Sequence, residues 1–390
     1  MRRLLTTTGI FVFILLTASA HEPARGQAKV SLPDSSRQSF TEDTKASDKS
    51  DGSTNSARSE LDKGNQYFKA AQYSLAIQSY RRATAIQPDF FQAHYNLGIA
   101  YVDSRRYREA LGAFEQALTL NPKSTAALKF LGSIHHRLGE FDIATKYFSE
   151  WISLEPASVE ALTGLGSAWS RLGKYAEAGT SFDSALKIDP TFAEAVAGLC
   201  LTLTATHQDE KAIGVCSKGI ELKPNAVLVH YLLGKTYLNL RRYEESLPAL
   251  TRAAELSAQD GVIQNNLGLA YFGLEKYDVA MEHFRKAAQF EPNLGEGYAG
   301  LGSVYLKLRK YHEAKESFNK AITLEPESVV AHMNLGLTCV ELKERDCALA
   351  QYGILQQLDP TLAQELSRRL FRNRVIQAPR VENSTPDKQP

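Results

Sequence analysis

The chain has 390 residues, 43% of them apolar and 23% charged, with 45 Lys and Arg against 44 Asp and Glu. This is the balance of a soluble protein with material for a large core, and a net charge of +1 gives no general attraction to nucleic acid or anionic lipid. Four cysteines in a chain this long exclude a small disulfide-framed scaffold, although their even number matters below.

Met1-Arg2-Arg3 is basic, an apolar run covers Ile10 to Leu16, and Ala18-Ser19-Ala20 places small residues at an A-x-A spacing. That three-part layout predicts a secretory signal peptide over 1–20, cleaved after Ala20, and export to a periplasmic or secreted location. The competing reading is a retained membrane anchor. Leu4 to Ala20 is at the short limit for a spanning helix and carries four threonines, so no membrane span is expected after cleavage. Residues 21–56 are rich in Ser, Asp, Lys and Gly and nearly devoid of large apolar side chains. They read as a disordered linker, because too little surface is buried to offset the entropy of ordering.

From Ala57 a 34-residue period begins and runs without insertion to Pro360. The stretch Gly295 to Ser328 shows it well. Tyr298, Leu301, Gly302 and Tyr305 share one face of a first helix, Ala314, Phe318 and Ala321 share one face of a second, and Pro326 ends the unit. The Leu-Gly site recurs at Gly64, Gly98, Gly132, Gly166, Cys200, Gly234, Gly268, Gly302 and Gly336. The second-helix aromatic recurs at Tyr80, Phe114, Phe148, Phe182, Phe284, Phe318 and Tyr352, with Cys216 and Leu250 departing. Prolines close eight of the nine units, and only Ala258 breaks that set. A single hairpin cannot bury its apolar face, so each unit needs a neighbour. After the last unit, Thr361 is read as the cap of a helix over 361–375 with Leu362, Leu366, Leu370 and Phe371 on one stripe, a capping helix for the exposed end. Residues 376–390 read as a disordered tail.

The order of these residues at period 34 resembles the tetratricopeptide repeat (TPR) family. The resemblance implies an all-α, right-handed superhelical solenoid of nine helix-turn-helix repeats over 57–360. It also implies a protein or peptide partner held in a groove lined by the first helices. In that family the partner-facing sites are those equivalent to Tyr95, Asn96, Ile99 and Val102 of the second unit. Carried over, they imply a binding set of Asn65, Tyr95, Asn96, Lys129, Arg137, Tyr231, Leu238, Asn265, Asn266, Phe272, Met333 and Asn334. The N-terminal part of this lining is polar and somewhat basic, with Ser133, His136, Ser167, Ser170 and Arg171 among it. The C-terminal part is more apolar and is expected to be the main anchor. Asn96, Asn266 and Asn334 resemble asparagines with which some members grip a peptide backbone.

No Gly-rich phosphate loop, metal-protease motif, C-x-x-C or nucleophile elbow occurs, so no catalytic, cofactor or metal site and no nucleic-acid partner is expected. The adjacent His135 and His136 point to different helix faces and cannot share an ion. His135, His94 and His332 read as packing residues. Cys200 and Cys216 replace the glycine and the aromatic of the fifth unit, and Cys339 and Cys347 flank the turn of the ninth. Each pair is either a disulfide or two small apolar fillers. The function expected is a non-enzymatic interaction scaffold or adaptor; the alternative is an accessory subunit of cell-envelope or polysaccharide assembly and export machinery.

Overall fold

The computed structural model describes residues 52–371, and the expected signal peptide, most of the linker and the C-terminal tail lie outside these described residues. Among the described residues all regular structure is helical. Helices pair as α1 (Gly52–Lys69) with α2 (Tyr73–Ile86), α3 (Phe91–Asp103) with α4 (Tyr107–Leu120), and α5 (Thr125–Leu138) with α6 (Phe141–Leu154). The fourth and fifth hairpins are α7 (Val159–Arg171) with α8 (Tyr175–Ile188) and α9 (Ala193–Ala205) with α10 (Asp209–Leu222). Then follow α11 (Val227–Asn239) with α12 (Tyr243–Leu256), α13 (Gly261–Gly273) with α14 (Tyr277–Phe290), α15 (Gly295–Lys307) with α16 (Tyr311–Leu324), and α17 (Val329–Glu341) with α18 (Arg345–Leu358). A single helix, α19 (Pro360–Leu370), ends the described chain. All nine predicted hairpins are present.

The chain forms two compact units, divided between Val229 and His230. In the N-terminal unit each of α2, α4, α6 and α8 packs on the first helix of its own hairpin and on that of the next. The C-terminal unit repeats this for α14 and α16, while α12 packs on α13 and α18 packs on α17 and meets α19 instead of another hairpin. First helices also touch one another, as α5, α7 and α9 do, and α13, α15 and α17. First helices are therefore buried on more sides than second helices, which turn one face outward.

Two details of the hairpins explain their uniform geometry. At Gly302 a Cβ atom would stand 2.7 Å from the Phe318 ring, and at Gly268 it would stand 2.6 Å from the Phe284 ring. Only hydrogen fits, so the ring of the second helix lies directly on the backbone of the first. Gly300 meets the Phe284 ring from the following hairpin, and Gly164 does the same for Phe148 at 2.6 Å. The ring is thus held between two glycine backbones. The second detail is the turn. Ala71, Arg105, Gly139, Gly173, His207, Arg241, Glu275, Arg309 and Lys343 all have positive φ, one per hairpin at period 34. Each is followed by a residue whose N–H reaches five residues back, as Lys310 does to the Tyr305 carbonyl at 2.9 Å, while the Arg309 N–H donates to the Leu306 carbonyl at 3.1 Å. This paired pattern ends an α-helix with one left-handed residue.

Three expectations change at the ends. The segment read as linker up to residue 56 is helical from Gly52, because Ala57 and Leu61 are buried and draw the preceding turn into α1. The capping helix covers Pro360–Leu370 and is capped by Asp359, not Thr361, and residues 372–375 of the expected span lie outside the described residues. The Asp359 carboxylate accepts from the Thr361 and Leu362 N–H groups at 2.9 and 3.1 Å, and Pro360 fills the first helical position, where a missing N–H is harmless. Its buried stripe is Ala363 and Leu366, while Phe371 stays exposed. Leu366 presses on Gly336 and packs with Met333, Leu337 and Leu355, so α19 does close the C-terminal end of the core.

Candidate functional site

The residues carried over from the resemblance divide sharply by exposure. Tyr95, Asn96, Tyr231, Leu238, Asn265, Asn266, Phe272, Met333 and Asn334 are each no more than 5% exposed. Asn65 and Lys129 are half-buried, and Arg137 is exposed. The apolar anchor expected in the C-terminal part is therefore core: Met333 packs with Leu337, Leu355 and Leu366, and the Phe272 ring meets Tyr277 edge-on at 5.5 Å. Tyr95 is likewise a core residue, 5.5 Å from Phe114 and 6.0 Å from Phe130 between ring centroids. Burial pushes its hydroxyl well above the usual tyrosine range.

The asparagine positions turn out to be a packing register. Phe130, one repeat after Asn96, stacks on Phe114 of the preceding hairpin at 4.7 Å, and Gly164 and Gly198 at the same register lie against Phe148 and Phe182. Asn96 stands where the preceding hairpin carries Tyr80 in place of Phe. The Tyr80 hydroxyl donates to Asn65 Oδ1 at 2.8 Å, and Asn96 Nδ2 donates to the same oxygen at 3.0 Å. These amides satisfy a buried phenol. Asn266 Nδ2 donates within its own helix to the Val262 carbonyl at 2.8 Å. Periodicity identified the register, but burial follows from how closely successive first helices approach.

The histidines have structural partners. His94 Nε2 pairs with the Pro88 carbonyl at 2.9 Å, and His332 Nε2 pairs with the equivalent Pro326 carbonyl at 2.8 Å. His135 Nδ1 lies 2.6 Å from Glu140 Oε2, and its ring stacks on Tyr147. His136 packs edge-on against Phe141 and pairs with Ser167 Oγ at 3.0 Å. Burial, reinforced by Arg171 and Arg137, pushes its pKa down to about 4, so it is neutral at ordinary pH.

Both cysteine pairs are bonded: Cys200–Cys216 with Cα atoms 5.1 Å apart, and Cys339–Cys347 at 5.9 Å. Glu344 lies close to the second pair, but the two sulfurs bind each other, and Glu344 pairs with Lys315.

One feature escaped the sequence reading. Trp151 on α6 occupies a register that holds Ala83, Ala117, Ala185 and Ala253 in other units. Its indole donates to Glu155 Oε2 at 2.8 Å, and Lys129 Nζ lies 5.7 Å from the ring centroid. With Ser158 and Glu160 these residues border an open recess of about 520 Å³ at the junction of the third and fourth hairpins. The break in the alanine series is visible in the sequence and was the available signal.

No curated protein matches this chain in sequence. Among solved structures, the crystal structure of the APC/C hetero-tetramer Cut9–Hcn1 is similar with a TM-score of 0.55 and 16% identity, covering 80% of this chain and 76% of that chain. PilF of Pseudomonas aeruginosa gives 0.47 at 22% identity, over 54% of this chain and 96% of that one. YrrB, described as a TPR protein with an unusual peptide-binding site, gives 0.41 at 21% identity, over 48% and 96%. At such identities the likeness is one of fold. Profiles described as TPR or tetratricopeptide repeats match residues 64–105, 95–158, 137–191, 170–236, 231–294 and 295–328. Together they cover most of the periodic region, and the left-handed turn and glycine–ring contact recur at the same period, so this chain belongs to the tetratricopeptide repeat family.

Proposed function

We propose that the protein is a non-enzymatic interaction scaffold, and that the N-terminal unit supplies the face that holds a protein or peptide segment. The observation that carries this reading is the division by exposure. At first-helix positions the apolar side chains are consumed by packing, whereas Asn65, Lys129, Arg137, Ser167, Ser170 and Arg171 remain reachable. Reachable hydrogen-bonding and charged groups on rigid helices suit recognition of another chain, since the scaffold loses little freedom on binding. A photo-crosslinking side chain at Ser170 of the full chain, in its native host, should capture a discrete protein partner. The same side chain at Thr180, on the outer face of α8, should capture none. Equal capture at both positions, or none at Ser170, overturns the reading.

Export is the second part of the proposal. The layout of residues 1–20 and the two bonded cysteine pairs support work in an oxidising compartment, where disulfides persist. Protein isolated from its host under thiol-blocking conditions should start at His21 and carry no blocked thiol. Four blocked thiols, or an intact Met1, would count against it.

A further inference from the structure

Arg137 and Arg171 stand one repeat apart at the same register, near the ends of α5 and α7, and both are exposed. Each guanidinium lies over the ring that opens the second helix of the preceding hairpin. Arg137 sits 5.5 Å from the Tyr107 centroid, and Arg171 sits 5.0 Å from that of Phe141. Neither enters an ion pair among the described residues. Phe141 also carries His136 on its edge, and His136 pairs with Ser167, so the ring, the imidazole and the hydroxyl form one packed support for Arg171. Because His136 is kept neutral by burial, the positive charge here comes from the two arginines. At the same register the C-terminal unit has Asn239, Gly273, Lys307 and Glu341. Lys307 is half-buried in the field of Glu275, and Glu341 accepts from the Tyr311 hydroxyl at 3.4 Å. The run of two exposed arginines thus belongs to the third and fourth hairpins.

Stacking occupies the face of a guanidinium and leaves its N–H donors, which lie in the plane, free to meet carboxylates two at a time. The ring beneath also fixes a side chain that would otherwise lose rotamer freedom on binding.

We propose that Arg137 and Arg171 form an anion-recognition patch that anchors an acidic, Asp- or Glu-bearing stretch of the partner polypeptide. This rests on the scaffold reading above and adds the chemistry of the partner. Packed helices lie about 8–10 Å apart. In an extended polyproline-type segment, residues i and i+3 share a side and are about 9 Å apart. Two acids at that spacing therefore match two arginines on successive hairpins.

The test uses the purified full chain and three labelled twelve-residue peptides of one neutral sequence. The first carries Glu at i and i+3, the second carries Gln there, and the third carries Glu at i and i+1. Fluorescence anisotropy should show the first bound roughly tenfold or more tighter than the second. Added salt should reduce that advantage, since part of it is exposed charge pairing. The third peptide should fall between them. In Arg137→Gln/Arg171→Gln the advantage should vanish while thermal unfolding is unchanged. A double variant that still prefers the acidic peptide, or a parent that binds Glu and Gln peptides alike, overturns the patch and leaves the scaffold reading intact. Binding of none of the peptides also overturns the patch. The scaffold reading then stands or falls on the crosslinking at Ser170, which does not depend on charge.

Discussion

The fifth and eighth hairpins solve one packing problem in two ways. In the eighth, Gly302 admits the buried Phe318 ring, and Ala321 lies one turn further along α16. In the fifth, Cys200 takes the glycine position and Cys216 the ring position, and a covalent bond spans the crossing instead. Gly219 replaces the equivalent of Ala321, so α10 also contains a residue that weakens a helix interior. The ring closes its hairpin by burial, which no redox change touches. The sulfur bridge closes its hairpin only while it is oxidised. The sixth hairpin adds to the contrast, since Leu250 stands at the ring position and Pro248 lies inside α12 without an N–H to donate.

The largest expected effect tests the ring. Phe318→Ala should lower the stability of the C-terminal unit by about 3–5 kcal/mol, because the side chain is fully buried and glycine backbone cannot collapse into the space. Urea unfolding followed by helical circular dichroism measures this. A loss below about 1 kcal/mol would show that the glycine–ring contact does not hold the hairpin.

The next effect tests the bridge. In a chain with Cys339→Ala and Cys347→Ala, reducing Cys200–Cys216 should cost about 3 kcal/mol, the value for a loop of this length. Amide exchange across 193–222 should then accelerate while that across 295–328 does not, since repeats couple mainly to their neighbours. Cys200→Gly with Cys216→Phe should restore the glycine–ring pair and make stability indifferent to reductant. Equal exchange in the two hairpins after reduction would erase the difference between them.

Acid should reach a third place. His136 has a folded-state pKa pushed below its ordinary 6.5 to about 4, first by burial and then by Arg171 and Arg137. The folded state therefore resists a proton that the unfolded chain accepts. Stability is complete above about pH 6.5 and falls as pH drops toward 4, by up to about 3 kcal/mol. His283 in the C-terminal unit is shifted in the same direction, also first by burial. Between pH 7 and 5 the third hairpin should thus lose amide protection before the eighth, and His136→Gln should flatten much of that slope. An unchanged slope in the variant would assign the acid sensitivity elsewhere.

The sequence showed the scaffold because its requirements are written in residue type. Glycine at the position of 302 and an aromatic at the position of 318 recur in most units at period 34, since a buried ring lies against a backbone that leaves room only for hydrogen. The candidate site was less legible. Tyr231, Phe272 and Met333 were expected to face a partner only on the strength of the resemblance, yet they are buried, and burial depends on the closeness of neighbouring first helices. Arg137 and Arg171 were visible as basic residues. Their seats on Tyr107 and Phe141 join residues 30 positions apart through packing and could not be read from the chain. Trp151 was legible as a broken alanine series. The disulfides had two open readings because only geometry distinguishes a bond from two fillers.

The smallest effect concerns a position that sequence pattern hides altogether. Both compared hairpins turn on a non-glycine residue in the left-handed region, His207 with φ 53° and Arg309 with φ 59°, whereas the fourth turns on Gly173 with φ 73°. The left-handed conformation costs a side-chain-bearing residue about 1–2 kcal/mol, and glycine escapes that penalty. Glycine also makes the unfolded chain more flexible, which returns about 0.5–1 kcal/mol of the gain. His207→Gly and Arg309→Gly should therefore each stabilise by about 0.5–1 kcal/mol, and Gly173→Ala should destabilise by a similar amount. The gain should be nearly equal in the two hairpins, because the closing turn hydrogen bond is the same length in both: Gln208 N–H to the Leu203 carbonyl and Lys310 N–H to the Tyr305 carbonyl, each 2.9 Å. A gain at Arg309 with none at His207 would place the weakness of the fifth hairpin in its turn as well as in its crossing.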